Sequence, residues 1–310
     1  MIRRAFASQP IREYGGIRYD GRKALLDKGL DRPLRGDLIY SGIMTQAPEA
    51  GGLPPPQRLQ PFNCELVACR RCPRLVAYRE QIGREKRRAY RECEYWARPV
   101  PGFGDPNGQV LILGLAPGAH GSNRTGRMFT GDSSGNFLYQ VLHVAGFASQ
   151  PKSFHRDDGL RLSNCYITAV VHCVPPANKP LPDEIVRCAE FLDRELELLP
   201  NIRVVVILGR IAFDGYLNYL KRRALLERKS AYVFGHGARY NMPDGRIMLC
   251  SYHPSNQNTQ TGKLTRAMLT KIFRTAAKLA AKSRSPLPVL RREDGGPGMR
   301  PRAITSSNAL

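Results

Sequence analysis

Four short apolar runs constrain the fold of this chain more than any other feature: Val110-Leu111-Ile112-Leu113-Gly114, Tyr166-Ile167-Thr168-Ala169-Val170-Val171, Val204-Val205-Val206-Ile207-Leu208-Gly209 and Ile247-Met248-Leu249-Cys250-Ser251-Tyr252. A strand with one wet face alternates apolar and polar residues, and these runs do not. They read as strands buried on both faces, the pattern of a parallel sheet covered by helices. The stretches between them suit those helices, at about 134–146, 182–199, 210–228 and 264–282. The expected fold is α/β, a three-layer αβα domain with a central mostly parallel sheet of about four strands. Unusual loops follow three of the runs: Gly114-Leu115-Ala116-Pro117-Gly118-Ala119-His120-Gly121, His172-Cys173-Val174-Pro175-Pro176-Ala177-Asn178-Lys179-Pro180, and His253-Pro254-Ser255. Open α/β sheets bind ligands beyond the carboxyl ends of their strands, so these loops mark one expected active rim.

The flanks differ in character. Residues 1–60 mix charges, glycines and prolines and read as an accessory, flexible tail; 286–310 read the same way. Neither can bury enough apolar surface to offset ordering entropy. Met44 is a second candidate start. The folded body is expected over 61–285. The chain of 310 residues has 48 Lys+Arg against 26 Asp+Glu, a net charge of +22. The two tails carry +4 and +2, so the body holds +16. A body this basic attracts polyanions, above all nucleic acid. No apolar run approaches the ~18 residues of a membrane span, and the N-terminus lacks the apolar core of a signal peptide. The expected setting is the cytoplasm, with no membrane partner.

Cys69-x-x-Cys72 has the bite of a metal chelate, and a cytoplasmic chain disfavours stable disulfides. Spacing alone does not distinguish zinc from iron–sulfur. Cys64, Cys93, Cys165 and Cys250 read as ordinary thiols.

These pieces add up to a resemblance. Cys69-x-x-Cys72-Pro73-Arg74-Leu75-Val76, Pro99-Val100-Pro101-Gly102-Phe103-Gly104-Asp105, Gly114-Leu115-Ala116-Pro117-Gly118, Asn123 to Asp132, Cys173 to Pro180, Cys188, and His253-Pro254-Ser255-x-Gln257-Asn258-x-x-Thr261-Gly262 resemble the family 5 uracil-DNA glycosylases, over about residues 64–280. The resemblance implies a monomeric DNA-repair enzyme with a 4Fe–4S cluster on Cys69, Cys72, Cys173 and Cys188. Its substrate would be DNA containing uracil or other deaminated bases.

Such an enzyme must flip a base from the stack, hold it, and stabilise negative charge on it as the bond to the sugar breaks. His253 is expected to donate to the uracil O2 and Phe129 to stack on the base. Gly114, Ala116, Pro117, Gly118, His120 and Thr168 are expected to line the base pocket, and Asn123 to orient water. His120 and Asp132 are the other polar side chains considered for that task. Leu115 stands where family 4 carries a Glu. Thr168 and Ala169 stand near that family's uracil-reading Asn, so relaxed selectivity is expected, hypoxanthine included. Ser255, Gln257, Asn258, Lys263, Arg127 and Lys179 are expected to hold DNA phosphates, with Thr261, Arg124 and Arg266 supporting them. The alternatives are a strict uracil-only glycosylase of family 4 type and a non-catalytic zinc-binding nucleic-acid protein. A nucleotide-binding enzyme is disfavoured, because Gly-x-Gly-x-x-Gly and the P-loop Gly-Lys-Ser/Thr are absent.

Overall fold

The structure, a computed structural model, describes residues 55–282. Its elements are α1 (Pro55–Ala68), α2 (Pro73–Glu85), β1 (Phe103–Gly104), β2 (Val110–Gly114), α3 (Ser122–Thr125), α4 (Ser133–Val144), β3 (Cys165–Ala169), α5 (Pro182–Leu198), β4 (Val204–Leu208), α6 (Arg210–Arg222), β5 (Arg239–Asn241), β6 (Ile247–Ser251), α7 (Asn256–Gln260) and α8 (Arg266–Lys282). One six-stranded sheet runs in the order β1-β3-β2-β4-β6-β5. β3, β2, β4 and β6 are parallel, and they are the four apolar runs. β1 and β5 add antiparallel edges of two and three residues. The expectation of about four strands is therefore corrected to six. Both extra strands are too short to carry a period.

Alternate strand residues face opposite layers. Leu111, Leu113, Val205, Ile207 and Met248 pack with α1, α5 and α6 through Phe62, Phe191, Leu196, Phe213 and Tyr216. Val110, Ile112, Val204, Val206 and Leu249 pack with α4 and α8 through Leu138, Leu142, Leu269 and Phe273. The domain is the expected αβα sandwich. Each buried large side chain contributes about 1.5–3 kcal/mol, so Phe273→Ala, in the middle of α8, is expected to cost about 3–5 kcal/mol.

Local chemistry sets the helix starts. Pro73 and Pro182 occupy first-turn positions, where a missing N–H costs nothing. Asp132 caps α4 by accepting from the Gly135 amide at 2.8 Å, and Ser255 caps α7. The expected tail boundary at residue 60 falls inside α1. Leu59 is buried there, so the body begins by Pro55. Residues 1–54 and 283–310, with Met44 and nearly all of the two tails, lie outside the described residues. Among the described residues, no helix is long and apolar enough to cross a membrane.

Candidate active site

The parallel register sets four chain segments at one rim. Gly114 pairs with Ala169, and Leu208 with Ser251. β2 sits between β3 and β4, so the loops after β2 and β4 diverge and leave a crevice. Two glycines bring side chains against its floor. A Cβ on Gly114 would lie 3.0 Å from two Phe129 ring carbons, and one on Gly209 would lie 3.2 Å from the His253 Cβ. Phe129 and His253 thereby face each other with ring centroids 5.9 Å apart, tilted 31°. Phe129 holds a positive φ of 50°, an uncommon conformation for an aromatic residue. Its neighbours pin that turn: the Tyr139 hydroxyl donates to the Met128 carbonyl at 2.9 Å. Desolvation holds the His253 imidazole down to about 4, so it is neutral near pH 7. The Asn258 amide donates to the His253 carbonyl at 2.8 Å and fixes the His-Pro-Ser loop.

The loop after β2 closes the crevice. Ala116 packs on the core, Pro117 is buried, and Gly118 lies against the Asp132 carboxyl. His120 meets the Tyr95 hydroxyl at 3.1 Å, and burial lowers its pKa, helped by Arg87 and Arg124. Arg124 donates to the carbonyls of His120 (2.8 Å) and Gly131 (2.9 Å), so it fastens two loops of the rim together.

Two expected site residues point elsewhere. Asn123 is fully buried; its amide donates to the Arg79 carbonyl at 3.3 Å, and its backbone carbonyl accepts from Ala97. That amide is directed at α2. The carboxylate at the rim belongs to Asp132. Its Oδ2 sits against Gly118 and Gly121, both of which must be glycine for it to fit, and burial raises its pKa. The Asp at the start of α4 was visible in the sequence, but its cap position gave no sign of which loop it touches. Thr168 lies on the face turned to α5, and its hydroxyl donates to Glu195 at 2.5 Å, so it does not read a base. Strand alternation explains this: Ala169 is the β3 residue on the opposite face, beside Gly114.

The candidate DNA contacts divide. Ser255, Gln257, Asn258 and Thr261 gather on or around α7, directly after His253. Gln257, Thr261 and Lys263 are exposed, and the Lys263 ammonium lies 4.8 Å from the Tyr252 ring centre. Lys179 is exposed on the proline-rich loop, and Arg266 bonds Gln140 at 2.8 Å. Arg127 is the correction. It is 3% exposed and pairs with Asp158 at 2.7 Å, so its guanidinium is not available to a phosphate.

Cys69, Cys72, Cys173 and Cys188 line one apolar cavity with Leu75, Val76, Val171 and Phe191. Burial raises the Cys72 and Cys188 thiols and pushes Cys173 up to about 11. Arg79 donates to the Cys173 Sγ at 3.0 Å and to the Cys69 carbonyl at 3.1 Å; the His172 amide donates to the Cys188 Sγ at 3.4 Å. Arg79 was not anticipated. Its spacing of two helical turns from Cys72 was the available signal. Cys165 and Cys250 are buried strand residues, and Cys64 is exposed. Among the described residues, no three His, Cys, Asp or Glu side chains are grouped to hold a single metal ion.

Comparison with known proteins accords with this geometry. The profile of the uracil DNA glycosylase superfamily matches residues 101–277. A Type-5 uracil-DNA glycosylase of Thermus thermophilus is 57% identical over 219 residues, 71% of this chain and 97% of its own. Its counterpart in Mycobacterium tuberculosis is 48% identical over 220 residues, covering 71% of this chain and 81% of its own. One from Pyrobaculum aerophilum is 43% identical over 216 residues, 70% and 91% respectively. With a profile match across more than half its length and relatives this similar over most of theirs, the chain belongs to the uracil DNA glycosylase superfamily, among its Type-5 members.

Proposed function

We propose that this chain hydrolyses the N-glycosidic bond of uracil in DNA, and of other deaminated bases such as hypoxanthine, as a monomer that starts base excision repair. The observation that carries the reading is the Phe129–His253 pair over the glycine floor of the sheet's carboxyl end. A base turned out of the duplex enters beside Gly114 and stacks on Phe129. His253, neutral near pH 7, donates to the base oxygen as negative charge collects there; one such donor is worth about 10²–10³ in rate. Asp132, its carboxyl held against Gly118 and Gly121 with a raised pKa, accepts a proton from the attacking water in this reading.

The pocket floor supports the breadth of substrate. Gly114 and Ala169 face each other across the strand ends and bring no polar side-chain atom; the Thr168 hydroxyl is taken up by Glu195. Readout then falls to backbone groups and His253. A pocket without a dedicated side-chain partner leaves nothing unpaired when the base edge changes.

The four-cysteine cavity fits a 4Fe–4S cluster on Cys69, Cys72, Cys173 and Cys188. Its candidate ligands are all thiols, and N–H groups from Arg79 and His172 face two sulfurs. When bound, the cluster supplies a cross-link among α2, the proline-rich loop and α5. Purified protein is expected to be brown and to contain iron and sulfide; zinc in their place would remove this part of the reading.

The test of activity compares wild type and His253→Ala on oligonucleotides containing uracil or hypoxanthine, with alkaline cleavage of abasic sites. Wild type is expected to cut both after alkali, and His253→Ala to be about 10²–10³-fold slower. No scission by wild type on either substrate would refute the enzyme reading. Scission at uracil alone would refute the broader specificity.

A further inference from the structure

The loop 149–161 carries a feature that base excision as described does not use. Its tip, Lys152-Ser153-Phe154-His155-Arg156, exposes a phenylalanine among three basic side chains. Phe154 is 55% exposed, in a segment that is otherwise polar. The loop is held rigidly at both ends and across its middle. Ala148 bridges Leu162, and the Ser149 amide donates to the Arg161 carbonyl at 2.9 Å. The Asp158 carboxylate accepts from the amides of Phe154 (2.8 Å), His155 (3.3 Å) and Leu160 (3.0 Å). Arg127 bonds the Asp158 carboxylate, the Ser153 hydroxyl and the Arg156 carbonyl. The exposed ring is therefore not at the end of a loose segment; the backbone beneath it is pinned.

The same anchor ties the loop to the base rim. The Gly131 amide donates to the Ser153 carbonyl at 3.2 Å, and the Thr130 and Ser153 hydroxyls meet at 2.7 Å. Phe154 thus follows a residue bonded to the turn that carries Phe129. The charge around it is uncompensated. Among the described residues, Lys152, His155 and Arg156 have no carboxylate within ion-pair distance, whereas Arg71, Arg74, Arg194 and Arg222 in the α1–α2–α5–α6 layer are all paired. Lys152 lies 5.9 Å from the Phe154 ring centre, and Arg156 stacks over Trp96 at 4.5 Å with Arg98 nearby at 5.8 Å. Asp157 adds an exposed carboxylate, while that of Asp158 is taken up by Arg127.

We propose that loop 149–161 is a second DNA-gripping element, in which Phe154 stacks on a base beside the extruded nucleotide and Lys152 and Arg156 meet flanking phosphates. An exposed aromatic interleaved with unpaired cations suits the stacked bases and charged backbone of a distorted duplex. A hydrophobic protein partner fits less well, because cations surround the ring. The proposal rests on the glycosylase reading, and its test is read without catalysis.

Binding is measured to a duplex bearing a tetrahydrofuran abasic analogue, which cannot be cleaved, across a salt series. Phe154→Ala is expected to raise Kd about tenfold, within the 5–150-fold that base–aromatic stacking supplies, and Phe154→Trp to restore it. Lys152→Ala is expected to lower the slope of log K against log salt by about 0.9. Melting temperature is expected to stay at the wild-type value in Phe154→Ala. A Phe154→Ala Kd within about twofold of wild type, against the fivefold minimum of a lost stack, would overturn the proposal. So would an unchanged Kd with a slower saturated rate, which would make the loop a support for Phe129 only. If wild type bound this duplex but released no uracil, the glycosylase reading would fail instead.

Discussion

Replacing Arg127 by alanine separates two roles that a surface view of arginine would merge. In the structure Arg127 is a buried hub. It bonds the Asp158 carboxylate (2.7 Å), the Ser153 hydroxyl (2.9 Å), the Thr130 hydroxyl (3.0 Å) and the Arg156 carbonyl (3.1 Å), with both ion-pair partners at most 5% exposed. Arg127→Ala leaves Asp158 buried without its cation, and removing one partner of a buried pair costs about 3–5 kcal/mol. A body of this size loses about 2–4 °C of Tm per kcal/mol, so a fall of roughly 6–20 °C is expected by calorimetry. The pH dependence gives a second reading. Desolvation alone would raise the Asp158 pKa, but bonds from Arg127 and the backbone amides of Phe154 and Leu160 outweigh it and bring the carboxyl down from 3.8 to about 2. A depressed acid contributes stability above its unfolded pKa and loses it as pH falls toward the folded value. The gap between wild type and Arg127→Ala is therefore expected to narrow as pH drops from 5 toward 2. An unchanged Tm together with a salt slope lower by about one unit would refute the hub and make Arg127 a phosphate contact.

The other expectations concern the crevice and the layer behind it. Gly114→Ala places a Cβ 3.0 Å from the Phe129 ring and is expected to slow single-turnover uracil release roughly tenfold, because small displacements of a positioned group cost rate steeply; an unchanged rate would show that Phe129 does not seat the base. Glu195 is buried with its pKa raised from 4.5 to about 7, so its contribution is complete below pH 4.5 and declines by about 3 kcal/mol as pH rises to 7. Glu195→Gln is expected to abolish that decline in urea-unfolding stability. His253, lowered from 6.5 to about 4, binds protons more readily when unfolded, so the variant's stability is expected to rise with pH between those values. A Glu195→Gln profile that still fell with pH in this window would place the decline on another group.

Much of the architecture was legible in the sequence because burial on both faces removes the alternation that marks a half-wet strand. The four parallel strands and the long helices were readable for that reason. The edges β1 and β5 were not, since two or three residues hold no periodicity. The helix expected to reach 228 stops at Arg222, and Ala224 takes a positive φ of 56°, a turn with no glycine to announce it. His253 was legible from a His-Pro-Ser turn at a strand end. Arg127 and Thr168 were misread for a common reason. Their partners Ser153, Asp158 and Glu195 lie 26, 31 and 27 residues away, and nothing local says that a charge or hydroxyl will be satisfied inside. The Asn123 amide is likewise taken up by the Arg79 carbonyl, a contact that only the fold brings about.

Arg79 also sets a timetable for synthesis. Its guanidinium joins the Cys69 carbonyl to the Cys173 sulfur, which lies 94 residues after Arg79. The other partners of its layer come later still: Phe62 on Phe191, Glu65 on Arg194, Arg74 on Glu184. A ribosome adding about 5–20 residues per second takes about 5–20 seconds to travel from Arg79 to Cys173. Through that interval Leu59, Phe62, Leu66 and Leu75 lack the α5 residues Phe191, Leu192 and Leu196 of their cluster. Among the described residues, α1 and α2 thus wait for α5, and the nascent chain offers their apolar faces to chaperones until α5 emerges.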